Sequence, residues 1–229
     1  PLKILTDPER QTFSAIPSDP DEPILWRYFV IRREDERLSR QARGPHNKLG
    51  LTHQLGWLRW LGRQPSLEEA RACPAAITAY LADQLNIALD QFKVYPRERD
   101  TWGHHRELVR HHLGWRECGE EERQRLLVWL IEQAQQHDRP RGLLQDAVAF
   151  LRREKIVRPG LTTLERLIAQ SRTEAQGQIE RDIHQRLLRP QLRELDALIA
   201  TTGVPPIEDV GQRVGRGDPA PVVGVVDHR

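Results

Sequence analysis

Apolar residues recur at helical spacing along almost the whole chain, and this pattern restricts the fold more than any other feature. In residues 43–63, RGPHNKLGLTHQLGWLRWLGR, leucines at 51, 55, 58 and 61 fall three or four positions apart, on one face of a helix. No alternating run of valine, isoleucine and threonine competes as a strand. The sequence therefore predicts an all-α protein.

Helix start and stop signals divide the pattern into separate helices. Residues 6–9 (TDPE) and 66–69 (SLEE) are capping boxes, which mark helix starts. A helical stretch over about 24–42 is expected to break near Ile31. Further helices are expected to begin at Pro74, to run from a cap at Asp100 to a stop at Gly114, and to cover about 120–137 and 141–153.

The pattern changes after residue 161. Apolar residues three to seven positions apart predict a long amphipathic helical arm over 162–200, interrupted at Pro190. The arm packs against its own domain or docks on another chain, and both interpretations stay open. Residues 201–229 are rich in glycine, proline and valine without a helical period, which is typical of an irregular or disordered tail.

Composition limits the partners and the compartment. The formal charge is only +2, so a nucleic-acid surface must come from local clustering. The cations are nearly all arginine, which suits phosphate and guanine edges but also follows from a GC-rich coding sequence. Two unrelated cysteines and the lack of any membrane-length apolar run or signal peptide predict a cytoplasmic protein that contacts no membrane. Because the chain starts at Pro1 and has no methionine, we expect it to be part of a longer product.

Four histidines in HHRELVRHH, residues 104–112, could suggest a metal site. Partners seven positions apart share a helix face but lie about 10 Å apart, too far for one zinc ion. Contacts to phosphate beside Arg106 and Arg110, or a plain solvated face, fit better. No GxSxG, P-loop or GxGxxG motif is present, so we expect neither an enzyme nor a bound cofactor in this chain.

Nucleic-acid binding fits the local charge better. Gly44-Pro45-His46-Asn47 turns the chain between two helices, where Asn47 can cap the second helix. The Gln54 amide can read an adenine edge or satisfy a backbone group. Trp57 and Trp60 are expected in the core and at its rim. A second basic helix start follows at residues 93–110, and two such starts predict two small helix-turn-helix-like DNA-binding units over 1–92 and 93–161. The candidate DNA-binding residues are Arg40, Arg43, His46, Asn47, Lys48, Gln54, Arg59, Arg63, Arg97, Arg99, Thr101, His105 and Arg106.

Five blocks in order resemble the amino-terminal region of Tn-three family transposases, which move replicative, cointegrate-forming bacterial transposons. The blocks are LTDPERQTF, RGPHNKLGLTHQLGWLRWLGR, CPAAITAYLADQLNI, YPRERDTWGHHRELVRHHLGW and LLQDAVAFLRREKIVRPGLTTLERLIAQSR, within residues 1–200. The resemblance implies a helical region that recognises the terminal inverted repeats of double-stranded DNA. It also implies a catalytic domain with a metal-binding Asp-Asp-Glu triad beyond this chain, so magnesium would belong there and this piece would bind DNA without cutting it.

Particular residues carry the resemblance. The family's Arg-x-x-x-Asn-x-Leu-Gly block corresponds to residues 43–50, its Gln-Leu-x-x-Leu-Arg block to 54–59 and its Gly-Arg pair to 62–63. Tyr95, Arg99, Thr101 and His105 fit a further block loosely. This chain departs from the family at Trp102, where an arginine is expected, and at His53, in a usually apolar stretch.

The resemblance places the protein in the bacterial cytoplasm, associated with the nucleoid. Two other interpretations stay open: a helical structural or interaction module that associates with itself through 162–200, and a truncated, inactive transposase remnant. The alternative to DNA binding that needs no ligand is a helical scaffold with an arginine-rich surface.

Overall fold

The computed structural model describes residues 3–96, 98–186 and 197. The described residues are helical and contain no strand, which confirms the all-α prediction; one isolated bridge joins Arg116 to Ile156. The helices are α1 (Asp7–Ser14), α2 (Glu22–Tyr28), α3 (Arg33–Ser39), α4 (Pro45–Leu61), α5 (Leu67–Arg71), α6 (Ala75–Leu85), a 3-10 helix (Leu89–Val94), α7 (Arg99–Leu113), α8 (Glu120–Gln136), α9 (Pro140–Arg153) and α10 (Leu161–Arg186).

Most helix boundaries follow the sequence signals. Both capping boxes form, since the Glu9 carboxylate accepts from the Thr6 amide at 2.8 Å and Glu69 from Ser66 at 2.7 Å. Gly114 ends α7 in the left-handed conformation, with φ of 68°. The predicted cap at Asp100 is wrong: Glu98 is the cap residue, and Asp100 lies in the first turn of α7.

Helix α4 is the centre of the first half of the fold. All ten residues from Leu49 to Leu58 are buried, because other helices cover α4 on several sides. One side of α4, with Leu49 and Trp57, packs against residues of α2, α6 and α7. In the predicted leucine stripe, residues 51, 55 and 58 pack against Val109 of α7 and Leu38 of α3, whereas Leu61 is half-buried against the cluster that contains Leu49 and Trp57. The structure thus confirms three of the four leucines and Trp57 as core, with Trp60 half-buried beside them.

Two glycines allow this close packing. A Cβ at Gly50 would lie 2.3 Å from the Tyr95 ring, and one at Gly56 would lie 2.2 Å from Phe29. Only glycine lets these two aromatic rings rest directly on the α4 backbone. Gly50 belongs to the block that the sequence shares with the transposase family, and its role in this fold is steric.

A separate core forms from α8, α9 and the first part of α10. It includes Leu130, Leu143, Ile156 and Leu164, and Ile4 packs into it from the amino end. Glu165 of α10 accepts hydrogen bonds from the Ile4 amide at 3.1 Å and from Arg10, which fixes the amino-terminal segment on this core.

The predicted organisation can be compared with these cores. Tyr95 and Trp102 share a buried cluster with Leu49 and Trp57, so one core contains residues from both sides of the predicted limit at 92. The assignment of a DNA-binding unit to each side stays a prediction. The described residues up to 176 form one compact unit, and the part of the predicted arm within it is packed on its own chain through Leu164, Leu167, Ile168 and Ala175.

The rest of the predicted arm is described only to Arg186, apart from residue 197. The predicted break at Pro190 and the tail over 201–229 lie outside the described residues. In the described part of the chain, no helix is both long and apolar enough to cross a membrane.

Candidate nucleic-acid interface

The turn between α3 and α4 forms a basic corner, which we define as Arg40, Arg43, His46, Asn47 and Lys48. Arg43 is exposed and forms no ion pair with any described residue. Arg40 is 76% exposed and reaches Glu36, one turn earlier on α3, at 3.3 Å. Such exposed pairs contribute little to stability, so both guanidinium groups are available to an external phosphate.

The corner leads directly into the amino end of α4. Gly44, with φ of 82°, is the cap residue and Pro45 is the first helical residue, so the predicted cap at Asn47 is wrong. The Asn47 side chain instead donates to the Arg43 carbonyl at 3.0 Å and so holds the turn. No side chain caps α4, which leaves its first amide groups and positive dipole end without a side-chain acceptor. An anion can bind at such a helix end.

Gln54 lies inside the protein. Its side chain lies in the core, where the residue is 2% exposed. Its amide nitrogen donates to the Tyr95 hydroxyl at 2.7 Å and to the Trp102 carbonyl at 3.4 Å. Of the two predicted roles, the structure shows the one in which the amide satisfies a backbone group, and this bond tethers α4 to α7. Reading an adenine edge would require these bonds to break.

Arg59 also has an internal partner. Its side chain is 10% exposed, and both terminal nitrogens bind Asp35, whose side chain is fully buried. His112 reaches the same carboxylate at 2.8 Å. Burial alone would raise the pKa of Asp35, but hydrogen bonds from Arg59, the Arg32 backbone and His112 bring that pKa below its ordinary value. Arg59 therefore joins α4 to α3, and a direct contact of its terminal nitrogens with DNA would require these bonds to break.

Arg63 is likewise occupied inside the protein. Its side chain is 13% exposed, pairs with Glu69 at 2.7 Å and donates to the Ser14 carbonyl. The guanidinium thereby links the end of α4 to α5 and α1. Its predicted contact with DNA would require these bonds to break.

The candidate residues of the second basic helix start, within 93–110, differ in how far they are buried. His105 is 4% exposed, and its Nδ1 lies 2.9 Å from the Tyr95 hydroxyl. Burial lowers the pKa of His105 to about 4, and the nearby His104 and His46 act in the same direction. Arg106 is half-buried against Gln64, whose amide donates to the Arg106 backbone carbonyl at 2.8 Å.

Three other predicted residues stand at or near the start of α7. Thr101 is half-buried in its first turn. Arg99 is the first residue of the helix, and only its backbone is described. Arg97 lies outside the described residues.

The sequence pattern did not reveal how His53 is accommodated. The residue is fully buried, and its ring stacks on Phe92 with centroids 3.9 Å apart. Nδ1 donates to the Leu49 carbonyl at 2.7 Å, and Nε2 accepts from the Thr78 hydroxyl at 3.1 Å. Burial lowers the pKa of His53 to about 4, so this departure from the family is a neutral core residue.

Trp102, the other departure from the family pattern, is also a buried core residue. It is 9% exposed and packs near Trp57 and Tyr95, with ring centroids 6.3 and 5.9 Å away.

Among the described residues, no three histidine, cysteine, aspartate or glutamate side chains come together as a metal site.

Sequence reasoning also missed Asp35, Tyr95 and His112 as partners of the predicted residues. Asp35 stands in the acidic run Glu34-Asp35-Glu36, which looks like an ordinary solvated helix start. Its neighbours Glu34 and Glu36 are indeed exposed, and only the packing of α3 on α4 distinguishes Asp35 from them.

Comparison with known proteins connects this geometry to a family. Residues 4–171 match the family described as domain of unknown function DUF4158. The chain is 28% identical over 199 residues to the transposase for transposon Tn1546 of Enterococcus faecium, covering 87% of this chain and 20% of that protein. It is 32% identical over 183 residues to the transposase for transposon gamma-delta of Escherichia coli K12, covering 76% and 18%.

A third relative is the transposase for transposon Tn21 of Escherichia coli, 28% identical over 196 residues, which cover 86% of this chain and 19% of that protein. The chain therefore spans about a fifth of the length of the curated relatives it matches. These matches confirm the resemblance to the amino-terminal region of Tn-three family transposases. With most of its length inside the matched region, the chain belongs to the DUF4158 family.

Proposed function

We propose that this chain binds double-stranded DNA as the end-recognition part of a Tn-three family transposase. The basic corner contacts the phosphate backbone. In this proposal the DNA is the terminal inverted repeat of a transposon, and strand cleavage belongs to a catalytic region that this chain does not supply.

The observation that carries the proposal is the contrast between Arg43 and two other candidate arginines, Arg59 and Arg63. Arg59 and Arg63 are occupied by Asp35 and Glu69, whereas Arg43 is exposed without an ion pair to any described residue. Beside Arg43 begins a helix whose first turn has no side-chain cap. Exposed cations next to free helix amides are a combination that phosphate groups recognise.

Sequence preference can be tested without knowing the target. The chain is incubated with a pool of random-sequence duplexes, bound DNA is recovered over several rounds, and the enriched sequences are read. We expect one enriched motif that matches an inverted repeat, because the proposal includes specific readout. Enrichment of no motif by a chain that still binds duplexes would remove the end-recognition claim and leave non-specific binding.

Phosphate contact is tested by titrating one duplex at several salt concentrations. We expect log affinity to fall linearly with log salt, because each neutralised phosphate releases counterions. Affinity that does not change with salt would contradict the phosphate contact.

A second candidate function is self-association through α10. Ile179 and Ile183 lie one turn apart on this helix and are 41% and 44% exposed. Two such residues on one face are suited to pack against a second copy of the helix. Light scattering over a range of concentrations tests this candidate: the chain should dimerise and an Ile179→Ser/Ile183→Ser variant should not. A wild-type chain that stays monomeric throughout would exclude it.

A further inference from the structure

A groove of about 490 Å³ lies between the end of α2, the start of α3 and the end of α7. Its lining includes the cations Arg27, Arg32, Arg59 and Lys155 and the rings of Tyr28 and Trp115. We call it the α2–α7 groove. None of the residues of the basic corner lines it, and its volume is in the range of small-molecule sites.

The α2–α7 groove carries an excess of positive charge. Glu34 is the one carboxylate in its lining, against four side chains that are positive at neutral pH. Asp35 lies buried behind Arg59 and is occupied by Arg59 and His112. A concave surface with this imbalance attracts an anion.

The four cations differ in what they can offer a ligand. Both terminal nitrogens of Arg59 are used by Asp35, so Arg59 supplies positive potential at the back of the groove. Arg32 pairs with Glu34 at 3.6 Å. Of these four, Arg27 and Lys155 are exposed and have no carboxylate partner among the described residues.

Arg27 and Lys155 are positioned by contacts that leave donors free. The Arg27 guanidinium carbon lies 5.4 Å from the centre of the Tyr28 ring, a cation–π contact that uses none of its N–H groups. The Lys155 ammonium donates to the Leu113 carbonyl at 3.1 Å, which uses one of its three hydrogens. Both side chains can therefore donate to phosphate oxygens.

The aromatic residues add a second kind of contact. Tyr28 and Trp115 line the groove and are half-buried, so part of each side chain remains accessible. Accessible aromatic surface beside cations suits a nucleotide, because the base can stack while the phosphate is bound. A bare inorganic anion would use only half of these features.

We propose that the α2–α7 groove binds a nucleotide phosphate, with Arg27 and Lys155 donating to the phosphate and Tyr28 or Trp115 contacting the base. The nucleotide is either a free molecule or one unit of a DNA strand. In the first case the site is independent of the proposed function, and in the second it rests on that function and adds a contact away from the basic corner.

The probes are deoxyadenosine monophosphate, deoxyadenosine and inorganic phosphate, each titrated into the whole chain by calorimetry, and a random-sequence duplex titrated by fluorescence anisotropy. A free-nucleotide site binds the monophosphate more tightly than inorganic phosphate and does not bind the nucleoside measurably. A site for one unit of a DNA strand is detected as duplex binding that depends on Arg27 and Lys155.

The test variant is Arg27→Gln/Lys155→Gln, which keeps a polar side chain at each position and removes two charges. The matched control is Arg71→Gln/Arg166→Gln, because both residues are exposed, form no ion pair with described residues and lie outside the groove. Circular dichroism melts check that each variant is folded. We expect about a tenfold or greater loss of affinity for the monophosphate or the duplex in the test variant alone, since each lost bond is charge-assisted.

The outcomes separate the two sources and the two proposals. Loss of monophosphate binding identifies a free nucleotide, and loss confined to the duplex identifies a DNA unit. A groove variant that weakens duplex binding while Arg43→Ala does not would support the groove and contradict the basic corner. Equal losses in the test and control variants, or no binding of either probe that depends on Arg27 and Lys155, would overturn the groove proposal.

Discussion

Arg59 donates two hydrogen bonds to the Asp35 carboxylate, from Nη1 to Oδ2 at 3.0 Å and from Nη2 to Oδ1 at 2.8 Å. The carboxylate is fully buried and the guanidinium is 10% exposed, so neither group can turn to water if the other is removed. The pair fixes α3 against α4 and thereby sets the direction in which the basic corner points.

Replacing Arg59 with alanine should therefore destabilise the protein. Removing one partner of a buried ion pair leaves an uncompensated charge, which costs about 3–5 kcal/mol. Urea unfolding followed by circular dichroism measures the loss. Arg71→Ala is the control, since this exposed arginine has no ion pair with described residues and should change stability by less than about 0.5 kcal/mol. An Arg59→Ala variant as stable as the wild type would show that the pair does not hold the fold.

Stability should fall as the pH drops from 6.5 towards 4. His53 and His105 have pKa values lowered from 6.5 to about 4 by burial, so the unfolded chain binds protons in this window while the folded chain does not. Their contribution is complete above pH 6.5 and is lost progressively down to about pH 4, at up to about 1.4 kcal/mol per pH unit for each residue.

The pH effect can be assigned with single substitutions. His53→Gln keeps hydrogen-bonding groups but does not titrate, so the slope of unfolding free energy against pH should become shallower by one histidine's share. The exposed His111 is the control, and His111→Gln should leave the slope unchanged. Equal slopes in His53→Gln and wild type would mean that folding does not lower the pKa of His53.

Adding a methyl group to two helical glycines should have opposite effects. Gly50→Ala places a Cβ 2.3 Å from the Tyr95 ring, and such overpacking costs about 1–3 kcal/mol. At Gly103 in α7 a Cβ meets nothing within 4 Å, so Gly103→Ala should stabilise by about 0.5–1 kcal/mol through helix propensity. Melting temperatures of the two variants test the pair, and a Gly50→Ala variant that melts no lower than wild type would contradict the packing at Tyr95.

Gln54→Leu should change stability and leave DNA sequence preference intact. The substitution removes the bonds to the Tyr95 hydroxyl and the Trp102 carbonyl, and the buried hydroxyl loses a donor, at a cost of about 1–3 kcal/mol. The motif enriched by Gln54→Leu from a random duplex pool should match the wild-type motif. A change at one base position would instead show that this amide reads DNA.

The helices could be predicted from the sequence because their signals are local. Leu51, Leu55 and Leu58 reveal their common face by spacing, and Thr6 with Glu9 reveals a helix start. The candidate site was predicted less well. The sequence around a polar helix residue looks the same whether its side chain faces solvent or bonds a buried partner that is distant in sequence. Gln54 meets Tyr95 forty-one positions later and Arg59 meets Asp35 twenty-four positions earlier, and neither distance has a sequence signal.

The most direct measurement is the salt dependence of duplex binding by Arg40→Ala/Arg43→Ala, compared with Arg71→Ala/Arg166→Ala, which removes the same charge elsewhere. The proposed contact predicts weaker binding by the corner variant alone and a slope of log affinity against log salt smaller by about two, close to 0.9 for each lost phosphate contact. Unchanged affinity and slope in the corner variant, or equal losses in both variants, would contradict the basic corner as the DNA contact.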